Sequence, residues 1–270
     1  MPELPEVEIT RRGIEPHILG KQITAMVIRE SRMRWPVPAS LKKKLPALTV
    51  EKVRRRAKYL ILELGEGCLI VHLGMSGSLR VLDASEPPGG HDHVDIVFGG
   101  SLLRLRDPRR FGCVLWQDGV AEQHRLLKDL GVEPLSSDFS AEFLFRASRG
   151  RKLAIKQFLM NQRIVVGVGN IYASESLFRA KIRPTTPAGR LSLARCKALT
   201  EAVVSTLEDS LRSGGSSLRD YVQSNGEPGY FQLQTYVYDR QGEPCRKCYS
   251  PIKELRQGQR STFYCPKCQS

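Results

Sequence analysis

The stretch KYLILELGEGCLIVHLGMSG, residues 58–77, decides the fold. Two runs rich in leucine, isoleucine and valine flank Gly65, Glu66 and Gly67, so the segment reads as two strands joined by a tight turn. The pattern continues outward on both sides. ITAMVIRE (23–30) and LTVEKVRRR (48–56) precede it, while HVDIVF (93–98), LLRLRD (102–107) and GCVLW (112–116) follow, with turn residues at 87–90 and 99–100. Seven short β runs within about 95 residues predict an antiparallel β-sandwich or barrel. Ahead of it, Pro5 followed by Val7, Ile14 and Ile18 predicts a helix with one apolar side.

Beyond Trp116 the period becomes helical. AEQHRLLKDLG (121–131), AEFLFRAS (141–148), RKLAIKQFLMNQ (151–162), NIYASESLFRAK (170–181) and LSLARCKALTEAVVSTLEDSLRSG (191–214) predict a second, all-α domain. Residues 213–229, rich in Gly and Ser, read as a mobile loop. A length of 270 residues exceeds what one core usually organises, so two domains with a small appendage are expected. At 41% hydrophobic residues and a mean hydropathy of −0.29, the chain can bury a core. No apolar run approaches the roughly 18 residues of a membrane span, and the opening MPELPEVE is acidic where a signal peptide is basic then apolar. Both observations weigh against membrane and secreted classes. Forty-two Lys and Arg against 28 Asp and Glu give a net charge of +14, which calls for a polyanionic partner. Nucleic acid, an anionic membrane surface and an acidic protein all fit that charge, so position must decide.

Seven cysteines divide into two sets. Cys68, Cys113 and Cys196 lie singly in apolar or helical stretches and read as packing residues. Cys245, Cys248, Cys265 and Cys268 form two CxxC pairs with 16 residues between them, the spacing of a closed tetrahedral zinc site. Four sulfurs leave no position for water, so the metal is structural, and a tail of roughly 30 residues would draw much of its folding energy from it. Disulfides or redox dithiols are the competing reading.

Several other strings carry chemistry. In VVGVGNIYASE (165–175), glycines precede Asn170 at a helix start, where backbone N–H groups and the helix dipole favour a phosphate; ordinary capping explains the same residues. Arg151, Lys152 and Lys156 lie nearby in sequence and add cations. DPRRFG (107–112) projects two arginines and a ring from one turn, which suits a wedge in a duplex or the closing of a sheet edge. Lys58 follows the Arg54 to Arg56 run, and Met75 reads as either core filler or probe. Once Met1 is removed, Pro2 presents a secondary amine; an α-amino group has a pKa of about 8, so a useful fraction is neutral and nucleophilic near pH 7. Glu3 and Glu6 offer carboxylates for proton transfer, and equally suit a helix N-terminus.

Together, PELPEVE, RRAKYL, HLGMSGSLR, HDHVD, DPRRFG, VVGVGNIYASE, QSNGEPGYF and the terminal CxxC pairs resemble the bacterial formamidopyrimidine-DNA glycosylase family from end to end. The resemblance implies a catalytic β-sandwich with leading helix (1–130), a helix-two-turn-helix DNA-binding domain with a lesion loop (131–229) and a β-hairpin zinc finger (230–270). It implies removal of oxidised purines from duplex DNA, then strand cleavage through a Schiff base. Pro2 would attack the sugar of a flipped nucleotide and Glu3 would serve as the acid. Lys58 and Arg260 would assist proton transfer and hold phosphates. Met75, Arg109 and Phe111 would fill the void, Arg109 facing the orphaned cytosine. His91, Arg110, Arg151, Lys156 and Asn170 would contact phosphates, with Arg219 and Tyr221 as candidates for the lesion. One zinc ion, a duplex DNA partner, no membrane partner, a monomer and a cytoplasmic, nucleoid-associated setting belong to the same implication. The related endonuclease VIII group, which acts on oxidised pyrimidines, and a non-catalytic binder of damaged DNA are the alternatives.

Overall fold

A computed structural model describes residues 2–215 and 235–270. Arg219, Tyr221 and most of the predicted loop lie outside the described residues. The described chain falls into two compact units, one of residues 2–128 with 213–215, the other of 129–212 with 235–270.

The first unit opens with α1 (Leu4–Ile18), where Pro5 occupies the first turn and Val7, Ile14 and Ile18 are buried, as the sequence predicts. Strands β1 (Ala25–Ile28), β2 (Lys52–Arg56), β3 (Tyr59–Leu64), β4 (Gly67–His72), β5 (Ser78–Asp83), β6 (Asp92–Val97), β7 (Ser101–Arg106) and β8 (Cys113–Asp118) follow, with α2 (Leu41–Lys44) between the first two. They form two antiparallel four-stranded sheets, ordered β1-β6-β7-β5 and β2-β3-β4-β8. Leu60, Leu62, Leu69 and Val71 from one sheet meet Leu79, Ile96, Leu103 and Leu105 from the other in a core that also takes Val7, Ile14 and Ile18. Each such leucine contributes roughly 1.5–3 kcal/mol by leaving water. Ile61 and Ile70 point to the opposite face yet are equally buried, which explains why β3 and β4 read as unbroken apolar runs.

The sandwich has eight strands where the sequence shows seven. The run from Cys68 to Gly77 is one strand in the sequence reading, but β4 ends at His72 and the chain turns through Gly74 at φ +67 before β5 starts at Ser78. Gly77 packs so closely on Leu73 that a Cβ there would lie 2.2 Å from its carbonyl oxygen.

The second unit carries α3 (Ala141–Ser148), α4 (Ile155–Leu159), α5 (Asn170–Arg179) and α6 (Leu193–Arg212), then the hairpin β9 (Lys253–Gln257) and β10 (Arg260–Tyr264). Ser140 caps α3 by accepting from Phe143 N at 3.1 Å. The helix expected over 121–131 is instead a short 3-10 turn, Ala121–Gln123, followed by turns closed onto His124. The one expected over 151–162 shrinks to α4, because residues 151–154 run extended against 187–189: Ala154 pairs with Pro187, and Ala188 N donates to Leu153 O. Glu175 in α5 accepts from the backbone N–H groups of Tyr236, Val237 and Tyr238 at 2.8–2.9 Å, fixing the start of the cysteine-bearing segment. Cys68, Cys113 and Cys196 are all buried, as expected of packing residues. Among the described residues, no helix is long and apolar enough to cross a membrane.

Candidate functional site

In the first unit the site begins where α1 does. Glu3 is the N-cap residue, its carboxylate accepting the Glu6 N–H while Glu6 Oε2 accepts the Glu3 N–H at 2.7 Å. This reciprocal pair is a capping box, and it fixes the backbone directly after Pro2. Pro2, Glu3 and Glu6 are all buried, so the capping reading of the acids is correct and leaves Pro2 adjacent to an ordered carboxylate. Lys58 forms the two-residue β2–β3 turn with Ala57, which adopts φ +54, and it too is buried. Beside it stands His72, which sequence reading passed over. Burial, with the Lys58 and Arg34 charges, holds its pKa down to about 4. His72 Nδ1 accepts from Gly74 N at 2.9 Å, so the neutral ring carries its proton on Nε2 and is a donor there.

Two adjoining turns carry the exposed apolar residues of this unit's sequence-predicted site. Met75 is 39% and Phe111 42% exposed. The Arg109 guanidinium lies 5.0 Å from the Phe111 ring centre. Arg110 sits at φ +55, and its guanidinium stands 3.4 Å from Glu30. His91 is exposed at the entrance to β6. The segment before it is held by buried Arg104, which donates to Pro87 O and Glu86 O at 3.0 Å and pairs with Asp95.

In the second unit, Asn170 is the first residue of α5, preceded by Gly169 at the N-cap and Gly167 at φ +77. Its Nδ2 donates to Ser261 O at 3.1 Å, while its buried Oδ1 has no hydrogen-bond partner. The Lys156 ammonium donates to the same carbonyl at 2.9 Å and to Thr262 Oγ1 at 2.7 Å. Lys156 is therefore enclosed, whereas Arg260, at the start of β10, and Arg151 are exposed. A cavity of about 260 Å³ opens among Lys156, Gln157, Gln257, Arg260 and Thr262.

The four sulfurs of Cys245, Cys248, Cys265 and Cys268 lie within 4.8 Å of one another. Sγ of Cys245 is 3.9 Å from that of Cys268, and Sγ of Cys248 is 3.4 Å from that of Cys265, too far for disulfides. A tetrahedron with Zn–S bonds of about 2.3 Å has edges of about 3.8 Å, so the cluster fits one zinc ion. Backbone N–H groups of Lys247 and Cys268 point at the sulfurs of Cys245 and Cys265, each at 3.4 Å, as thiolate ligands require. Gln269 then joins the cluster to the helices, accepting from Cys265 N and donating to Ile182 O. The ion serves structure.

Residues 1–114 match the formamidopyrimidine-DNA glycosylase N-terminal domain, 130–222 the H2TH domain of the same enzymes, and 242–270 the zinc finger found in FPG and IleRS. A formamidopyrimidine-DNA glycosylase of Paraburkholderia phymatum is 58% identical over 275 residues, covering all of both chains. The crystal structure of the MutM (Fpg) protein from Thermus thermophilus is 36% identical, with a TM-score of 0.90 over 99% of this chain and 98% of that one. The Lactococcus lactis Fpg bound to DNA containing an abasic site is 34% identical, with a TM-score of 0.90 over 99% of both chains. The chain belongs to the formamidopyrimidine-DNA glycosylase family, DNA glycosylases that remove damaged bases in base-excision repair.

Proposed function

We propose that this chain excises oxidised purines, 8-oxoguanine and formamidopyrimidines, from duplex DNA and cuts the resulting abasic site by β,δ-elimination. The observation that carries the reading is the capping box at Glu3. It holds the residue after Pro2 in an ordered, buried position and so presents the amine and a carboxylate as neighbours. After Met1 is removed, the Pro2 nitrogen lone pair bonds to C1′ of the flipped nucleotide as the bond from C1′ to the base breaks. The Pro2 nitrogen gives up its N–H proton, which balances the one the departing base takes up; the ring oxygen takes another, from Glu3, as the sugar opens to an iminium ion. That cation acidifies C2′–H, whose loss expels the 3′ phosphate, and a second proton loss expels the 5′ phosphate. Lys58 and Arg260 hold the flanking phosphates, with His91, Arg110, Arg151 and Asn170 as further backbone contacts, while Lys156 braces the hairpin that carries Arg260. Met75, Arg109 and Phe111 enter the vacated space, and Arg109 reads the opposite base. Work on the bacterial nucleoid belongs to the same reading.

The test is borohydride capture on duplexes carrying 8-oxoguanine, with a parallel panel of oxidised pyrimidines. A covalent adduct on the purine lesions is expected. Its absence with Met1-processed protein would overturn the proposal, and preference for the pyrimidines would move the substrate to the endonuclease VIII type.

A further inference from the structure

We propose that Asp107 is a positioning residue that fastens the Met75 turn, the Arg109 to Phe111 turn and His91 into one rigid unit, and so sets how strictly the opposite base is read. The inference rests on the reading above that Met75, Arg109 and Phe111 enter the duplex. Asp107 is fully buried, and each of its polar atoms is engaged. Its N–H donates to His91 O at 3.0 Å, and its carbonyl accepts from Arg110 N at 3.1 Å and lies 2.9 Å from His93 Nε2. Its Oδ2 accepts from Gly112 N at 2.7 Å, closing the turn that carries Arg109 and Phe111. Its Oδ1 stands 3.5 Å from Ser76 Oγ, next to Met75, at the long end of hydrogen-bonding reach.

The backbones of the two turns also touch. A Cβ at Gly74 would lie 2.5 Å from Gly112 N, and one at Gly112 would lie 2.6 Å from His72 O. Neither turn has room to move without the other. A probe ordered before it meets DNA avoids the cost of freezing loops on binding, and an arginine fixed in advance discriminates between bases more sharply than one on a loose turn. A buried carboxylate bonded to a backbone N–H is the strong kind of link, and Gly112 is left with a buried, unpaired donor if it is removed.

The experiment compares cleavage of 8-oxoguanine opposite cytosine with that opposite adenine, and cleavage of a single-stranded abasic oligonucleotide, in zinc-loaded full-length protein. Asp107→Ala should lower the cytosine-to-adenine ratio about tenfold while abasic single-strand cleavage per folded molecule stays within about twofold. A purely structural lesion would lower all three together, which would overturn the proposal. Asp107→Asn keeps an acceptor for Gly112 and should restore the ratio; a ratio no better than that of alanine counts against the bonding account. Arg109→Ala, run in parallel, separates the two layers. If it leaves the ratio unchanged, the duplex-entering trio falls; if it abolishes selectivity while Asp107→Ala does not, only the role of Asp107 falls. Should the alanine variant not fold, the Gly112 amide of the unaltered protein decides. Hydrogen exchange more than about a hundredfold slower than in an unfolded chain is expected, and rapid exchange would overturn the proposal.

Discussion

Lys156 and Ser261 are joined by a 2.9 Å hydrogen bond from ammonium to main-chain oxygen, which ties α4 to β10 across the second unit. The sequence suggests a phosphate-binding lysine here, yet this one is 1% exposed and committed to the zinc hairpin. Lys156→Met should therefore cost about 1–3 kcal/mol of stability. It should leave the slope of log affinity against log salt unchanged, whereas Arg260→Ala should flatten that slope by about one unit. A flattened slope with an unaltered melting temperature would return Lys156 to the DNA backbone.

Glu3→Gln keeps an oxygen for the Glu6 N–H, so the α1 cap should survive and stability should change by less than about 1 kcal/mol. Base release should slow far more than cleavage of a preformed abasic site, because only the first step draws a proton from this side chain. Equal slowing of both steps in single-turnover assays would remove Glu3 from its assigned role.

Metal analysis should find one zinc per chain. Chelation should weaken binding to abasic duplex DNA more than about tenfold, because a small module loses its folding energy with its ion. The spectrum of the first unit should change little. Reloading with Co²⁺ should restore binding and produce thiolate-to-metal absorption of a tetrahedral site; restored binding without metal would refute the structural role.

His72 makes stability depend on pH. Its imidazole takes a proton near pH 6.5 in the unfolded chain but only near 4 in the folded one, because of burial and the charges of Lys58 and Arg34. The contribution is therefore complete above 6.5 and lost as pH falls toward 4. His72 as a residue is half-buried, so about 1–2 kcal/mol should disappear between pH 7.5 and 5. Melting curves in excess zinc should show that loss in the parent and less of it in His72→Asn.

The sandwich, α1 and the zinc cluster were legible because each is written in local signals: strand-length apolar runs, a proline in the first turn, paired CxxC motifs. β5, SLRVLD, was missed and β4 read five residues too long, because only the positive φ at Gly74 and the crowding at Gly77 put a turn between them. The expected helix at 121–131 buries only Ala121 and Leu127 and has no packed stripe to sustain it. Lys156, His72 and Asp107 share one reason for being misjudged or missed. Their partners, Ser261, Gly74 and Gly112 among them, are set by where turns and hairpins meet, and charge in a string does not show which charges end up indoors.

The three spare thiols bear on how long such an enzyme lasts in its surroundings. Burial pushes Cys68 to about 11, Cys113 to about 12 and Cys196 upward, so none is appreciably thiolate at neutral pH. Peroxide attacks the thiolate, and slowly at best where it cannot enter. A chain proposed to follow oxidative injury thus keeps the three thiols of its sandwich and helices in a form the oxidants that create its work attack poorly.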